Sequence, residues 1–379
     1  MNTDLSSWFD PEPWLAASER VNKGHVKSAI FSGSPGIKEF AALLTPVAAD
    51  FLEIMAQHAQ ALTQHHFGKT ISLYIPLYLS NYCPGGCAYC GFASDRQQLR
   101  RKLAEDELMT EINALKQKGF EDILLLTGER TEEAGFDYLL KCVSLAAGRF
   151  HNVTIESFAM TSDEYRQLAN AGCTGITLYQ ETYDPDVYEK LHRWGPKRDY
   201  TFRLEAPARA LSAGLRIAGL GILLGLADPV RDAVCLFLHI QYLKKRFWQA
   251  GILVSFPRIC RQFGGYQPEY PVSERLLAQF IFAFRICLPD VPLVLSTREK
   301  PEFRDGIAGI GISRMSVASK TTVGGYSGAP ASLIGQFDVS DTRDVETFCD
   351  VLRNKGLDPV FKNWDSIFQR QEDTMIFES

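Results

Sequence analysis

From about residue 70 onward, short and almost wholly apolar runs alternate with longer stretches in which apolar residues recur every three or four positions. The short runs predict strands at 71–79, 122–127, 152–156, 174–179, 215–223, 251–255, 291–295 and 309–314. Ile123-Leu124-Leu125-Leu126 offers nothing polar to solvent, as a parallel strand covered by helices should not. Between the runs the period lengthens. Phe136, Leu139, Leu140 and Val143 share one helical face, and Thr161 followed by Glu164 spells a capping box. Five helical or polar segments end in glycine just before an apolar run, at Gly119, Gly172, Gly214, Gly251 and Gly356. Glycine accepts the left-handed backbone that closes a helix. Eight such strand–helix repeats predict an α/β fold, a (β/α)8 TIM-type barrel over 70–320, with an open six-stranded sheet as the alternative.

The flanks have a different texture. Residues 1–69 lack period-two alternation and predict a helical extension, in which Val47, Phe51, Ile54, Met55 and Leu62 form a broken apolar stripe over 47–63. His58, His65 and His66 have no acid or cysteine near them, so a solvated helix end explains them better than a metal site. Residues 321–379 predict a small addition packed on the barrel. It holds a helix with Val345, Phe348, Cys349 and Leu352 on one face, a short strand Asp358–Phe361, and an aromatic end with Trp364 and Phe368.

Composition excludes several classes of function. The 379 residues carry 40 basic and 45 acidic side chains, a formal charge of -5, with no long basic block, so a nucleic-acid surface has no support. No apolar run reaches the roughly 18 residues of a membrane span. The opening MNTDLSSWFDPEPW lacks the basic-then-apolar order of a secretory signal. Nine cysteines, an odd number and mostly in apolar segments, suit a reducing cytoplasm.

Three of those cysteines are arranged for chemistry. Cys83, Cys87 and Cys90 are spaced C-x3-C-x2-C, with Pro84, Gly85 and Gly86 letting the chain curl around one inorganic centre. A [4Fe-4S] cube has four iron corners, so three thiolates leave one iron without a protein ligand. An electron-transfer cluster normally takes four cysteines, and a closed zinc site also wants four ligands. The other six, Cys142, Cys173, Cys235, Cys260, Cys287 and Cys349, stand alone along the chain. The alternative is a zinc knuckle completed by a distant cysteine or histidine.

In a barrel of this kind catalytic groups gather where strands end. Gly128-Glu129 follows the second predicted strand, Glu156 ends the third, and Gln180-Glu181 follows the fourth. Arg298 follows the seventh, and an arginine leaving an apolar strand is costly unless it meets an anion, which makes it the candidate for a substrate carboxylate. An ion pair with Glu299 or Glu302 is its competing explanation. For the acids, structural hydrogen bonding within loops competes.

The cysteine spacing, with Tyr89 directly before the last thiol, resembles the signature of the radical S-adenosylmethionine (SAM) enzymes. That resemblance implies a [4Fe-4S] cluster whose open iron binds SAM, and reductive cleavage of SAM to a 5'-deoxyadenosyl radical. It also implies that Gly128 and Glu129 receive the SAM amino group, that Glu156 and Gln180 order its ribose or sulfonium region, and that Glu181 steadies an arginine. Arg203 would reach the SAM carboxylate through its guanidinium fork, and Ile222, within Gly221–Leu226, would pack on the adenine.

Tyr74–Tyr78 leading into Asn81-Tyr82-Cys83, Leu126–Glu129, Tyr179–Tyr183, Ser255–Arg258 and Ser296–Glu299 are similar, over nearly the whole chain, to the aromatic amino-acid lyases of that superfamily. The likeness is greatest to the tyrosine lyases of thiamine biosynthesis. It implies hydrogen abstraction from the amino group of L-tyrosine and Cα–Cβ cleavage to p-cresol and 2-iminoacetate. Arg298, Tyr78 and Ser316 would hold the substrate, a thiazole synthase would take the product, and a flavodoxin or ferredoxin would supply electrons. Related alternatives are a tryptophan lyase forming 3-methyl-2-indolic acid and the hydrogenase-maturation tyrosine lyase, which carries a second, C-terminal cluster for which nothing after Cys349 provides cysteines. A non-enzymatic iron–sulfur carrier or scaffold is the alternative from another class. Ile259–Gly265 departs from the Arg-Pro pair expected of the thiamine enzymes at this point, and Cys260 within it suggests a small apolar residue rather than a ligand.

Overall fold

The computed structural model describes residues 9–328 and 333–361. Eight strands pair side by side in chain order, all parallel: β1 (Thr70–Tyr78), β2 (Asp122–Leu126), β3 (Asn152–Glu156), β4 (Gly175–Thr177), β5 (Ile217–Gly221), β6 (Gly251–Ser255), β7 (Leu293–Leu295) and β8 (Arg314–Ser316). Ser72 on β1 is in register with Arg314 on β8, and Ile75 on β1 with Ile123 on β2, so the sheet closes on itself. The closed (β/α)8 barrel is the architecture adopted, and the open six-stranded alternative is not. A ninth strand, β9 (Asp358–Val360), pairs with the start of β1 outside the ring, beginning at Thr70 opposite Asp358.

Strand parity separates two apolar layers. Leu73, Ile75, Leu77, Ile123 and Leu125 point outward into the layer beneath the helices. Tyr74, Tyr78, Leu124, Leu126 and Val294 form a separate cluster with Phe92 on the other face, in the barrel lumen. This is why β2 is buried along its whole length and reads as an unbroken apolar run.

The helix caps follow the local chemistry. Thr161 Oγ1 accepts from Glu164 N at 3.3 Å while Glu164 Oε2 accepts from Thr161 N at 2.9 Å, the expected capping box. Gly119, Gly172, Gly214 and Gly356 all have positive φ and close helices as expected. Gly251 does not; it is the first residue of β6, because the preceding helix Pro229–Arg246 has already ended at Phe247.

Two expectations need correction. The eighth strand begins at Arg314, not at 309, since Gly309 (φ 76) and Gly311 (φ 102) make a turn there. Ser316 therefore stands at the C-terminal end of the strand. In the N-terminal part, a 3-10 turn Pro46–Phe51 precedes the helix Leu52–Phe67, whose buried face is Met55, Ala59 and Thr63, while Ile54 is exposed. That face packs on the helix Glu274–Cys287. Nearby, buried Gln279 donates to the carbonyls of Leu43 and Thr45 at 2.9 and 3.0 Å. The helix Val345–Asn354 buries Phe348, Cys349 and Leu352 as its spacing suggests. Trp364 and Phe368 lie outside the described residues.

Candidate active site

The C-terminal ends of the strands surround one cavity of about 880 Å³, counted out to its mouth. Cys83, Cys87 and Cys90 all line it. Their loop leaves β1 and is pinned by a segment from beyond β4: Gly86 N donates to Trp194 O, and Ala88 N to Leu191 O, each at 2.9 Å. The pinning depends on missing side chains. A Cβ on Gly86 would overlap the Trp194 indole, and one on Gly128 would stand 2.7 Å from Cys83 Cβ and overlap the Tyr82 carbonyl.

The sulfurs sit among donors. Glu129 N points at Cys83 Sγ and Phe92 N at Cys90 Sγ, both at 3.4 Å, and Gln336 Nε2 lies 3.6 Å from Cys90 Sγ. Burial, with Cys90 and Glu129 nearby, pushes the Cys83 thiol up to about 11, so it becomes a thiolate only with a cation to stabilise it. Burial also raises the Cys87 thiol, opposed by the positive charge of Lys197. Three thiols on one cavity with N–H donors aimed at them fit an iron–sulfur cluster.

Beside the cysteines lies a buried charge network. Arg203 Nη1 is 3.3 Å from Glu129 Oε1 and Arg203 Nη2 is 3.8 Å from Glu181 Oε1; Lys197 Nζ is 2.6 Å from the same Glu181 oxygen. Burial opposes both cations, and Arg203 also opposes Lys197, but Glu181 and Cys87 for Lys197, and Tyr188, Glu129 and Glu181 for Arg203, outweigh this and hold both well above their usual range. Glu181 adopts φ 73, a left-handed conformation uncommon for a residue with a side chain. Glu156 also faces the cavity, and burial together with Glu181 raises its carboxyl to about 7 against the pull of Arg298, Lys197 and Arg203.

Arg298 stands apart from this network. Among the described residues it makes no ion pair; its guanidinium lies 3.4 Å from the centre of the Phe337 ring and only approaches the Arg258 carbonyl, at 3.5 Å. Glu299, a competing partner for Arg298 on sequence grounds, is ion-paired to Arg258 instead. Among the described residues Arg298 is thus a cation on the cavity wall with no carboxylate at ion-pair distance, its nearest influence being the pull it exerts on the Glu156 carboxyl.

The sequence matches the radical SAM superfamily over residues 77–233 and the Biotin and Thiamin Synthesis associated domain over 255–358. 2-Iminoacetate synthase of Salmonella typhimurium is 38% identical over 378 residues, 99% of this chain and 100% of that protein. Its counterpart in Escherichia coli is 41% identical over 330 residues, 87% of each chain. The chain belongs to the 2-iminoacetate synthase family. Among solved structures, HydG, a maturase of the [FeFe]-hydrogenase, matches with a TM-score of 0.89 at 29% identity, covering 96% of this chain and 82% of that one.

Of the residues singled out in this family member from its sequence, the three cysteines, Tyr89, Gly128, Glu129, Glu156, Glu181, Arg203 and Arg298 line the cavity together. Four others do not. Gln180 is buried and directs Nε2 at the Tyr200 carbonyl, at 3.5 Å. Ile222 is in the core beneath, and Leu223 faces the cavity in its place. Tyr78 donates its hydroxyl to Gln336 Oε1 at 2.8 Å, and Ser316 Oγ accepts from Thr297 N at 3.2 Å.

Several lining residues carried no sequence signal. Lys197, after a Gly-Pro turn, has nothing in its sequence surroundings to set it apart, yet its side chain is only 11% exposed and pairs with Glu181. Gln336 and Phe337 come from beyond the barrel strands. Ile259, Cys260 and Gln262, from the segment that departs from the expected Arg-Pro pair, also line the cavity. Tyr89 donates to His192 Nε2 at 2.7 Å. His192 Nδ1 is 2.8 Å from the Tyr188 carbonyl and so carries the ring proton; burial and Lys197 pull this imidazole down to about 2, leaving it neutral with Nε2 as acceptor.

Proposed function

We infer that the chain is a radical SAM tyrosine lyase that cleaves L-tyrosine at Cα–Cβ, giving p-cresol and 2-iminoacetate. The observation that carries the reading is the meeting, in one cavity, of a three-cysteine loop, a buried carboxylate–guanidinium pair and an unpaired arginine, in a chain 38% identical end to end to a 2-iminoacetate synthase. When bound, the cluster and SAM supply one chemistry, a primary carbon radical that takes a hydrogen atom from the substrate amino group. Homolysis of the weakened Cα–Cβ bond then leaves the C=N bond of 2-iminoacetate, and the benzyl fragment takes one electron and one proton to become p-cresol.

The chain's own residues bind and orient. Cys83, Cys87 and Cys90 hold three irons. Glu129 receives the SAM ammonium and Arg203 its carboxylate, each exchanging a protein partner for a ligand group of the same charge. Lys197 keeps Glu181 ionised and in place. Arg298, backed by Phe337, grips the tyrosine carboxylate, which fixes the amino group relative to the radical; a primary radical attacks whichever hydrogen lies nearest. On this reading the product passes to a thiazole synthase and electrons come from a flavodoxin- or ferredoxin-type donor. Nine free cysteines suit the cytoplasm, and no described helix is long and apolar enough to cross a membrane.

The test is anaerobic incubation of the reconstituted protein with SAM, a reductant and either tyrosine or tryptophan. The reading expects p-cresol and glyoxylate, the hydrolysis product of 2-iminoacetate, from tyrosine. An indole product from tryptophan with no p-cresol would replace it with a tryptophan lyase, and redox cycling without deoxyadenosine would replace it with a carrier.

A further inference from the structure

We propose that Gln336 is a positioning residue that donates a hydrogen bond to the Cys90 sulfur and, oriented by Tyr78, sets the reduction potential of the cluster held there. The proposal rests on the reading above only for the presence of a four-iron cluster.

The amide of Gln336 bridges two groups. Nε2 lies 3.6 Å from Cys90 Sγ, and Oε1 accepts from the Tyr78 hydroxyl at 2.8 Å. A thiolate has no proton to give, so the amide must turn its NH2 toward the sulfur; Oε1 then needs a donor, which the Tyr78 hydroxyl supplies. Tyr78 is buried, packs edge-on against Phe92 with centroids 5.8 Å apart, and keeps its proton. Its hydroxyl is thereby committed to the amide.

The backbone around Gln336 has little freedom. Its N–H donates to Thr321 O at 3.1 Å, and its carbonyl accepts from Gly91 N at 3.2 Å, one residue after Cys90. A Cβ on Gly91 would stand 2.5 Å from that carbonyl, and one on Gly335 would overlap the Thr321 hydroxyl. Thr321 Oγ1 in turn donates to Phe337 O at 2.8 Å. Two glycines without room for a side chain thus seat a short strap, Gly335–Phe337, with one side chain against a cluster cysteine and the next beneath Arg298.

A donor at a cluster sulfur stabilises the more negative, reduced state more than the oxidised one, and so raises the potential. Backbone N–H groups do this at Cys83 and Cys90 already, but among the described residues Gln336 is the side chain that does so, and hence the donor that substitution can remove.

The experiment is a redox titration of the reconstituted full chain, followed by the EPR signal of the reduced cluster. Gln336→Leu removes the donor, and Gln336→Met removes it with an unbranched side chain of similar length. Both should titrate at a more negative potential. At the wild-type midpoint their oxidised-to-reduced ratio should rise at least threefold, about 28 mV at 59 mV per tenfold for one electron. Tyr78→Phe, which deletes one oxygen, should shift in the same direction by less. Gln336 variants that hold four irons per chain and titrate with the wild type would overturn the proposal. Should they fail to hold the cluster, an unchanged potential in Tyr78→Phe would overturn it. Wild-type protein that assembles no four-iron cluster would instead overturn the proposed function.

Discussion

Arg203 and Glu129 lie side by side in the cavity wall, Nη1 to Oε1 3.3 Å, both buried. Arg203 also reaches Glu181, so one guanidinium serves two carboxylates, with Lys197 as the second cation. Opposite charges buried together offset each other's desolvation, and removing one leaves the others uncompensated, at about 3–5 kcal/mol. A zwitterionic ligand presents the same two charges. Arg203→Gln should therefore weaken SAM binding at least tenfold while iron per chain stays at the wild-type level, measured by equilibrium dialysis on the reconstituted protein. Unchanged affinity would remove Arg203 from the SAM site.

Arg298 has no carboxylate of its own among the described residues and rests on Phe337. A two-point carboxylate contact needs the planar fork, which lysine lacks. Arg298→Lys should raise the tyrosine KM about tenfold or more, and release deoxyadenosine in excess over p-cresol. Steady-state kinetics with both products quantified would check this, and unchanged values would take Arg298 out of the pocket.

Glu156 gives a pH signature. Its carboxyl is raised to about 7 by burial and by Glu181, from an ordinary 4.5. Between those values the folded chain holds a proton that the unfolded chain has lost. Stability therefore falls as pH rises from about 4.5 to 7, and the loss is complete above 7. Glu156→Gln should remove this slope and leave the protein more stable than wild type at pH 8, by on the order of 1–3 kcal/mol. Denaturant melts of the two proteins at pH 5 and pH 8 would check the difference, and parallel shifts in both would rule it out.

Gly86→Ala places a methyl group in the Trp194 indole. The cluster loop must then move or the indole must leave, so iron content after reconstitution should fall to less than half. Gly85→Ala, whose Cβ would meet only ordinary contacts of 3.5 Å or more, should retain it. Iron and sulfide assays on the two variants provide the comparison.

What was legible in the sequence follows a physical division. Barrel strands such as Ile123–Leu126 announce themselves because both faces are buried, and the cysteines and strand-end acids because polar groups there are conspicuous. Ends of elements were less clear: Gly309 and Gly311 sit in an apolar run that looks like strand but is a turn. Least visible were residues delivered to the site from afar. Lys197 depends on the packing of the 192–198 segment over the cluster loop, and Gln336 on two glycines far apart in sequence. Neither local period nor spacing encodes such meetings. Ile222 shows the limit at single-residue scale, since burying it turned its neighbour Leu223 to the cavity.

In the proposed reaction the cavity directs a carbon radical at the amino group of tyrosine. Amino hydrogens exchange with solvent and those on carbon do not, so the most direct measurement is the mass of 5'-deoxyadenosine formed with L-tyrosine in D2O. The expected result is deuterium in the deoxyadenosine, with p-cresol formed in equal amount. Deoxyadenosine without deuterium, or without accompanying p-cresol, would contradict the proposed reaction.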